Sequence, residues 1–310
     1  MDLVILLPIF RPNVDWLSDQ LNSIANQTFK SFRCVVSYDG SVAESEQKII
    51  EELLPDKRFA FLSGHQHAGT YLHVERLIRE HGIGCNFFAL CDQDDVWDPH
   101  KIQKQMNYFV DPSVSAVSAN GWIVNQDLGS IGGKTTFNWF RIQSQVTPYS
   151  SVLNQITGAS AIFRSSCMVK CIPFPENLGS AVHDHWLYIT AISNGKVEFE
   201  PEPLWSYRQH EDNQIGASAS HNNFFRFIKA LRKIISIVKT RVHKEEDVVI
   251  RQGRQFLSEA TDRWPKVDGG HDVLGSPLSL MKRVILLSPK ELMISNLESV
   301  RVALTRNRFD

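Results

Sequence analysis

The sequence predicts an α/β protein with a mainly parallel sheet that is flanked by helices. Two observations carry this prediction. Short apolar runs recur at Leu3 to Leu7, Phe32 to Ser37, Phe59 to Leu62 and Phe87 to Cys91. Each gap between these runs carries apolar residues at helical spacing. Strands that alternate with helices in this way form a parallel sheet with helices on both faces.

The helical gaps each present one apolar face. In the first gap this face contains Trp16, Leu17, Leu21 and Ile24. The equivalent residues are Ile49, Ile50, Leu53 and Leu54 in the second gap, and Leu72, Leu77 and Ile78 in the third. We expect these faces to pack against the sheet.

The pattern loosens after Val114. Shorter runs predict strands at Ala116 to Ser118, Trp122 to Val124, Ser160 to Phe163 and Val197 to Phe199. A helix is predicted over Asp184 to Ile192, because an Asn-Gly pair at residues 194 and 195 provides a stop signal.

Composition excludes several classes of protein. The chain has 310 residues, of which 43% are hydrophobic and 22% charged, as is typical of a soluble globular protein. The net charge of -1 selects no polyanion, so we expect no nucleic-acid partner. The apolar stretch at residues 1–10 has no basic leader and is too short to span a membrane.

Cysteine usage points to a reducing compartment. The five cysteines form an odd set without paired C-x-x-C spacing, which argues against a structural zinc site. Most have apolar neighbours, so we expect buried, reduced thiols in a cytoplasmic protein.

Residues 86–99, NFFALCDQDDVWDP, contain an apolar strand that ends in Asp92, Asp94 and Asp95. Crowded carboxylates repel one another, and a hard divalent cation with oxygen ligands would relieve that repulsion. A solvated acidic turn that caps the helix opened by Pro99 is the alternative. The stretch alone leaves both open.

Ligands of parallel sheets bind beyond the carboxyl ends of the strands. The four predicted strands end at Pro8, at the Tyr38-Asp39-Gly40-Ser41 run, near Gly64, and at Asp92 to Asp95. We therefore expect all four ends to line one crevice.

A second cluster, His183-Asp184-His185-Trp186, precedes the Tyr207-Arg208-Gln209-His210 segment. Zinc binding by the two histidines lacks a third ligand at recognisable spacing. Helix N-capping is one remaining interpretation. The other is that Asp184 acts as a general base in a crevice from which Trp186 excludes water.

A basic amphipathic segment follows at residues 224–244. No acidic residue interrupts Arg226 to Lys244. The pattern predicts either contact with an anionic membrane surface or a helix packed on the body with a solvated basic rim.

Taken together, the ordered motifs resemble family 2 glycosyltransferases of GT-A fold. They are Asp39-Gly40-Ser41, the Asp92-to-Asp95 run with Trp97 and Pro99, Asp184-x-Trp186, and Tyr207 to His210 with Asn213. The resemblance covers about residues 3–216 and is greatest to a rhamnosyltransferase-like branch that builds bacterial surface polysaccharides.

The resemblance implies a Rossmann-like, mixed and mainly parallel sheet with a helical C-terminal appendage. Residues 1–219 would form the catalytic domain, with a nucleotide-binding half at 1–113 and an acceptor-binding half at 114–219. Residues 220–310 would form a mainly helical, membrane-associating region.

Site residues also follow from the resemblance. The nucleoside-diphosphate sugar would contact Pro8, Phe10, Arg11, Asp39, Gly69, His73, Asp92, Gln93, Asp94, Gly158, Arg208 and His210. Mn²⁺ or Mg²⁺ would bind Asp94, Asp95 and His210, with Asp95 as the principal ligand. For Arg208 and His210, a loop that supports the core is the alternative to contact with phosphate or metal. Asp184 would be the catalytic base.

These assignments predict an inverting, metal-dependent transferase at the inner face of the cytoplasmic membrane. It would move a sugar from dTDP-rhamnose or a UDP-hexose to a lipid-linked or polysaccharide acceptor. An inactive nucleotide-sugar-binding scaffold and a metal-dependent nucleotidyltransferase are the alternatives.

Overall fold

The computed structural model describes residues 2–135, 150, 154–179, 181–211 and 248–264. Its strands are β1 (Leu3–Ile9), β2 (Phe32–Tyr38), β3 (Phe59–Leu62), β4 (Phe87–Leu90), β5 (Val96–Trp97), β6 (Val114–Val124), β7 (Ser130–Lys134), β8 (Ile162–Arg164) and β9 (Lys196–Arg208). Its α-helices are α1 (Val14–Ala25), α2 (Glu44–Glu52), α3 (Gly69–Leu77), α4 (Lys101–Tyr108), α5 (Ser165–Met168), α6 (His183–Asn194) and α7 (Val248–Arg263). A π-helical turn (Ile78–Gly82) extends α3, and 3₁₀ turns occur at Gly158–Ser160 and Val169–Cys171.

One mixed sheet organises these elements. Its strand order is β3-β2-β1-β4-β8-β6-β9-β5, and β7 pairs with β6. Strands β1 to β4 are parallel to one another, and so are β6 and β9. Strand β8 runs antiparallel to its neighbours β4 and β6. The predicted α/β class with a mainly parallel sheet is confirmed.

Both faces of the sheet are covered, which explains why the first strands are apolar throughout. Alternate residues of β1 enter two separate cores. Leu3, Ile5 and Leu7 pack with α1 and α4, whereas Val4 and Leu6 pack with α3 and α6. All five side chains are fully buried.

Strand β6 was predicted as two short strands, and this is wrong. Its eleven residues are continuous, but the buried polar side chains of Ser115, Ser118 and Asn120 interrupt the apolar pattern. Gly121 permits close packing, because a Cβ atom there would lie 2.6 Å from Nε1 of Trp205. Polar and small residues that the interior accommodates thus hide a central strand.

Three side chains assigned to the sheet-facing sides of helices are not core residues. Leu72 is 50% exposed and Ile49 is 44% exposed, while Trp16 is half-buried. In α3 Leu77 is buried as predicted, and the other buried apolar residues are Tyr71 and Val74. Helical spacing identifies a stripe, but the docking angle of the helix decides which edge of that stripe meets the sheet.

Helix α7 belongs to the C-terminal region and packs on the body. Phe256 is fully buried, and its ring centroid lies 5.5 Å from that of Trp186. Gln252 accepts a hydrogen bond from the Leu178 amide (2.6 Å) and donates one to the Glu176 carbonyl (3.0 Å). This part of the predicted appendage therefore shares the main core.

The remaining C-terminal predictions concern residues that the structure does not describe. The domain boundary at residue 219, the basic segment at 224–244 and residues 274–310 all lie outside the described ranges. Among the helices that are described, none is long and apolar enough to cross a membrane. All five cysteines are free, and four of them are buried.

Candidate active site

The carboxyl ends of the first four strands adjoin one another, as predicted. The Ile9 carbonyl accepts a hydrogen bond from the Asp39 amide, which joins β1 to β2 (2.9 Å). Similarly, the Gly64 amide donates to the Gly40 carbonyl (3.3 Å). Pro8 is the register partner of Ser37.

Gln93 connects the end of β1 to the acidic motif, which is the run Asp92 to Asp95 that follows β4. Its Oε1 accepts from the Phe10 amide (2.9 Å), and its Nε2 donates to the Phe10 carbonyl (3.3 Å). The Gln93 side chain is thus hydrogen-bonded to the backbone of Phe10, and these bonds hold the ends of β1 and β4 together.

Five residues form what we call the Asp39 pocket: Phe10, Asp39, His67, Gly69 and His73. The Asp39 side chain is 3% exposed, and its carboxylate accepts from the backbone amides of Ala68 (2.9 Å) and Gly69 (2.8 Å). These amides lie at the N-terminal end of α3, where a negative charge is stabilised. Gly69 adopts a left-handed φ of 76° there.

Two histidines complete the Asp39 pocket. Nδ1 of His67 lies 3.0 Å from Oδ2 of Asp39, and the His67 ring stacks on Phe10 with centroids 4.7 Å apart. His73 is buried, and its Nε2 lies 2.9 Å from Oγ of Ser37. Burial lowers the pKa of His73 to about 4, so this imidazole is neutral near pH 7.

The sequence reasoning missed His67, although His67 lies only two residues before Gly69. Arg11 lies beside this pocket, with its guanidinium carbon 5.1 Å from the centroid of the Phe10 ring.

A second group of residues, the acidic edge, contains Asp92, Asp94, Asp95, Asp184 and His210. Oδ2 of Asp94 lies 2.6 Å from Nε2 of His210, although the two residues are separated by 116 positions. The His210 ring contacts Trp16, with centroids 4.7 Å apart. The structure therefore brings together two of the three predicted metal ligands.

Asp95 is fully buried. Its Oδ1 accepts from the Arg208 amide (3.2 Å), while its Oδ2 has no hydrogen-bond partner among the described residues. Burial and the charges of Asp94 and Asp92 raise the pKa of Asp95 well above its usual range. A buried carboxylate oxygen without a donor is the kind of group that a cation stabilises.

The donor set is suited to a hard divalent cation, but it does not complete a coordination shell. In the described part of the chain, no group of three or more His, Cys, Asp and Glu residues is arranged to hold a metal ion. Mg²⁺ and similar ions commonly bind one or two carboxylates and take their other ligands from substrate phosphates and water. The residues fit a cation that arrives with its substrate.

The alternative of a capping turn is wrong for the acidic motif. Helix α4 has His100 at its N-cap, without a side-chain capping bond, and Asp95 is not solvated. A capping role is wrong for Asp184 as well. The N-cap of α6 is Val182, and Asp184 lies inside the first turn of the helix.

Arg208 is committed to acceptors within the protein. The guanidinium is buried and donates to the Asp94 carbonyl (2.8 Å), the Asp19 carboxylate (2.9 Å) and the Gln126 carbonyl. These bonds favour a supporting role for Arg208 that fixes Asp94 in place. Its contact with phosphate stays a prediction.

Asp184 lies far from the acidic motif in the sequence, at the start of α6. Its Oδ2 accepts a long hydrogen bond from the Gly158 amide (3.4 Å), and its Oδ1 is buried without a partner among the described residues. Gly158 is needed for this approach, because an added Cβ atom would lie 2.9 Å from Nε2 of His183 and 3.2 Å from Cβ of Asp184.

The raised pKa of Asp92 indicates that Asp184 lies close to the acidic motif. Burial, then the charge of Asp94, and then the charge of Asp184 raise the pKa of Asp92 to about 7. A carboxyl group with such a pKa in a crevice is typical of a functional site.

The predicted role of Trp186 as a cover for the base is wrong. Trp186 is fully buried and its Nε1 donates to the Cys171 carbonyl (2.8 Å). Its ring packs against Phe256 and Trp264, with the Trp264 centroid 5.9 Å away. Trp186 instead fixes α6 against α7.

Comparisons with known proteins agree with this architecture. The family described as glycosyl transferase family 2 matches residues 5–169, which is more than half of the chain. A dTDP-rhamnosyl transferase, RfbG of Shigella flexneri, is 24% identical over 241 residues, covering 74% of this chain and 78% of the relative. The Escherichia coli protein named UDP-Glc:alpha-D-GlcNAc-diphosphoundecaprenol beta-1,3-glucosyltransferase WfgD is 22% identical over 183 residues, covering 58% of this chain and 66% of that protein.

Solved structures share the fold. TarS of S. aureus, residues 1–349 in complex with UDP-GlcNAc, superposes with a TM-score of 0.54 at 18% identity, covering 88% of this chain and 76% of that one. The mannosyltransferase PcManGT of Pyrobaculum calidifontis, in complex with GDP-Man and Mn²⁺, gives a TM-score of 0.51 at 11% identity, covering 92% and 80%. The chain therefore belongs to glycosyl transferase family 2, and it is a glycosyltransferase of GT-A fold.

Proposed function

We propose that this glycosyltransferase is an inverting, metal-dependent enzyme of bacterial surface glycan synthesis. It takes a nucleoside-diphosphate sugar and transfers the sugar to a lipid-linked or polysaccharide acceptor. The observation that carries the proposal is that Ile162, at the start of β8, pairs with Ala89 near the end of β4, while the Gly158–Ser160 turn just before β8 is hydrogen-bonded to Asp184. This pairing brings Asp184 to the side of the sheet where the acidic motif lies. Inversion needs a base and a leaving-group site on opposite sides of one sugar, and the two acidic regions supply them.

Asp184 acts as the general base in this proposal. Its carboxylate takes the proton of the acceptor hydroxyl while that oxygen bonds to the anomeric carbon. The bond between this carbon and the diphosphate oxygen breaks in the same displacement, so the configuration inverts and no covalent enzyme intermediate forms. The Oδ1 atom of Asp184 has no partner among the described residues, which supports this role, because no protein donor competes for that oxygen.

Asp94, Asp95 and His210 would hold Mn²⁺ or Mg²⁺ together with the donor diphosphate, with Asp95 as the principal ligand. When bound, the cation neutralises negative charge on the departing nucleotide. Arg208 positions Asp94 through the hydrogen bond to its carbonyl (2.8 Å). The role of Asp95 as a ligand is supported by its buried Oδ2, which has no partner among the described residues.

The Asp39 pocket would receive the nucleotide base. Asp39 accepts hydrogen bonds and so suits the imide N–H of uracil or thymine. His67 and Phe10 already stack on each other beside Asp39, and they provide an aromatic surface for a base. Pro8, Arg11, Gly69 and His73 would complete this side of the donor site.

The printed names of two relatives support particular substrates. The relative named as a dTDP-rhamnosyl transferase supports dTDP-rhamnose as the donor. The relative named for UDP-Glc and a diphosphoundecaprenol acceptor supports a UDP-hexose and a lipid-linked acceptor. A lipid-linked acceptor would place the enzyme at the inner face of the cytoplasmic membrane, where residues 224–244 would contact anionic lipid.

A donor screen tests the proposal. The purified chain is mixed with Mn²⁺, a lipid-diphosphate sugar acceptor and a panel of dTDP- and UDP-sugars, and release of nucleoside diphosphate is measured. We expect release with one donor class and loss of release with EDTA. Pyrophosphate release from a nucleoside triphosphate would instead indicate a nucleotidyltransferase, and absence of release from every donor would contradict the proposal.

A further inference from the structure

A buried amide connects the two acidic regions from behind. Gln105 lies on α4, the helix that follows the acidic motif, and it is fully buried. Its Oε1 accepts from Nζ of Lys101 (2.9 Å), while its Nε2 donates to the carbonyls of Val117 (2.9 Å) and Ser160 (2.7 Å). A carboxamide offers two N–H donors and an acceptor oxygen, and all of them are used here.

Ser160 ends the 3₁₀ turn that begins at Gly158. Its hydroxyl lies 2.7 Å from Oγ of Ser118 and donates to the Thr157 carbonyl (2.7 Å). The turn is therefore held by α4 through Gln105 and by β6 through Ser118.

The other end of this turn contacts Asp184. The Gly158 amide donates to Oδ2 of Asp184, and the space between the turn and the first residues of α6 is too small for a Cβ atom. A displacement of the turn would therefore be transmitted to Asp184 directly.

The remaining partner of Gln105 lies under the acidic motif. Lys101 is fully buried, and its Nζ lies 3.9 Å from the centroid of the Trp97 ring. Trp97 follows Asp95 by two positions, and its amide donates to Oγ of Ser23 (3.0 Å). Gln105 is thus bonded on one side to a residue packed beneath the acidic motif and on the other to the turn behind Asp184.

We propose that Gln105 is a positioning residue that sets the separation between Asp184 and the run Asp92 to Asp95. It touches neither substrate nor metal and acts through the Gly158–Ser160 turn. This inference rests on the proposed role of Asp184 as the base. Buried polar side chains that are fully hydrogen-bonded fix one arrangement of the elements around them.

The test replaces Gln105 by Met, which has a similar volume but cannot form these hydrogen bonds. The matched control is Gln103→Met on the same helix, because Gln103 is exposed and bonds only to Asn107 in the described contacts. The measurements are hydrogen–deuterium exchange of the segment around Gly158, the Kd of the donor, and kcat.

In Q105M we expect the backbone amides of the Gly158 segment to exchange faster. We expect kcat to fall by about tenfold or more, because small misplacements of reacting groups are costly. The donor Kd should stay within about twofold of the wild type. Q103M should match the wild type in all three. Equal exchange and equal kcat in Q105M and Q103M would overturn the inference, as would a parallel loss of kcat and donor binding.

A second variant decides the question if Q105M does not fold. Gln105→Glu keeps an acceptor for Lys101 but loses the donor to the Val117 and Ser160 carbonyls, and it should reproduce the faster exchange with a loss of kcat. The exchange measurement needs no substrate. A wild-type chain without transferase activity would contradict the proposed function, while unchanged exchange in the variants would contradict only the role of Gln105.

Discussion

The Asp39 pocket and the acidic edge both contain aspartates that follow strand ends, yet the hydrogen bonding of their carboxylates differs. Asp39 has backbone donors on both carboxylate oxygens, at 2.9 and 2.8 Å. Asp95 and Asp184 each have one buried oxygen without a partner in the described part of the chain. In the first site backbone donors hold both carboxylate oxygens, whereas the second site has carboxylate oxygens that its own described residues do not satisfy.

This contrast separates binding from chemistry. A carboxylate with bonded backbone amides is fixed in one orientation, which suits the recognition of a flat base. The repulsion between carboxylates in a buried crevice is relieved when a cation binds or when one of them takes the proton of a reacting hydroxyl. We therefore expect variants of the two sites to fail in different ways, and four predictions address this difference. Asp127→Asn, in the exposed turn after β6, serves as the common control for loss of an acidic charge.

Replacement of Asp184 by Asn should have the largest effect. The amide cannot accept the proton of the acceptor hydroxyl, so kcat should fall by about a hundredfold or more. Donor Kd, measured by calorimetry, should stay within about twofold of the wild type. A D184N enzyme with a kcat near that of D127N would rule out Asp184 as the base.

Replacement of Asp94 by Asn should have the second largest effect, which is a lower affinity for the metal ion. The Mn²⁺ concentration for half-maximal activity should rise by about tenfold, because a neutral amide is a weaker ligand for a hard cation. His210→Ala should produce a smaller shift in the same direction. Metal titrations of D94N and D127N that coincide would contradict a metal role for the Asp94–His210 pair.

Replacement of Asp39 by Asn should weaken donor binding without lowering kcat. Loss of a hydrogen bond to a charged acceptor should raise the donor Kd by about tenfold, with kcat at saturating donor nearly unchanged. The variant should also unfold at lower temperature, because its amide cannot accept from both backbone amides. If kcat fell while the donor Kd did not change, the proposed division between the two sites would be wrong.

Replacement of Asp92 by Asn should have the smallest effect, visible as a pH-dependent change in stability. The pKa of Asp92 in the fold is about 7, above the value of about 4 for an unfolded aspartate, so the folded state binds this proton more tightly. The wild type therefore loses stability relative to D92N as pH rises from about 4 to about 7, and the difference is constant above that range.

Thermal unfolding in EDTA measures this effect. The Tm of D92N minus that of the wild type should be larger at about pH 8 than at about pH 5, and Mn²⁺ with nucleoside diphosphate should reduce the difference. A difference in Tm that is independent of pH would contradict the electrostatic description of the acidic edge.

Much of the structure of residues 1–113 could be predicted from local pattern. Strands β1 to β4 are apolar on both faces because helices cover both faces, and such runs are visible without a structure. The acidic motif was located at the end of β4 for the same reason. Helix α6 was predicted because a stop signal follows it.

The region after residue 113 was harder to predict, because the burial of its side chains depends on contacts with residues that are distant in the sequence. Strand β6 contains buried Ser118 and Asn120, and their polarity is tolerated only because other elements supply hydrogen bonds. The local sequence around Trp186 does not distinguish a side chain that covers a base from one that packs on α7. Its neighbour Phe256 is 70 positions away, too distant for a local pattern to reveal.

The order and chemistry of the strand-end motifs follow from sequence alone, because the carboxyl ends of parallel strands must share one edge of the sheet. Tertiary structure decided which carboxylates are satisfied and which are not. The amides of Ala68 and Gly69 reach Asp39, whereas Asp184 reaches the acidic motif through a turn held by Gln105. Hydrogen bonding in a crevice depends on the distances between elements, and packing sets those distances.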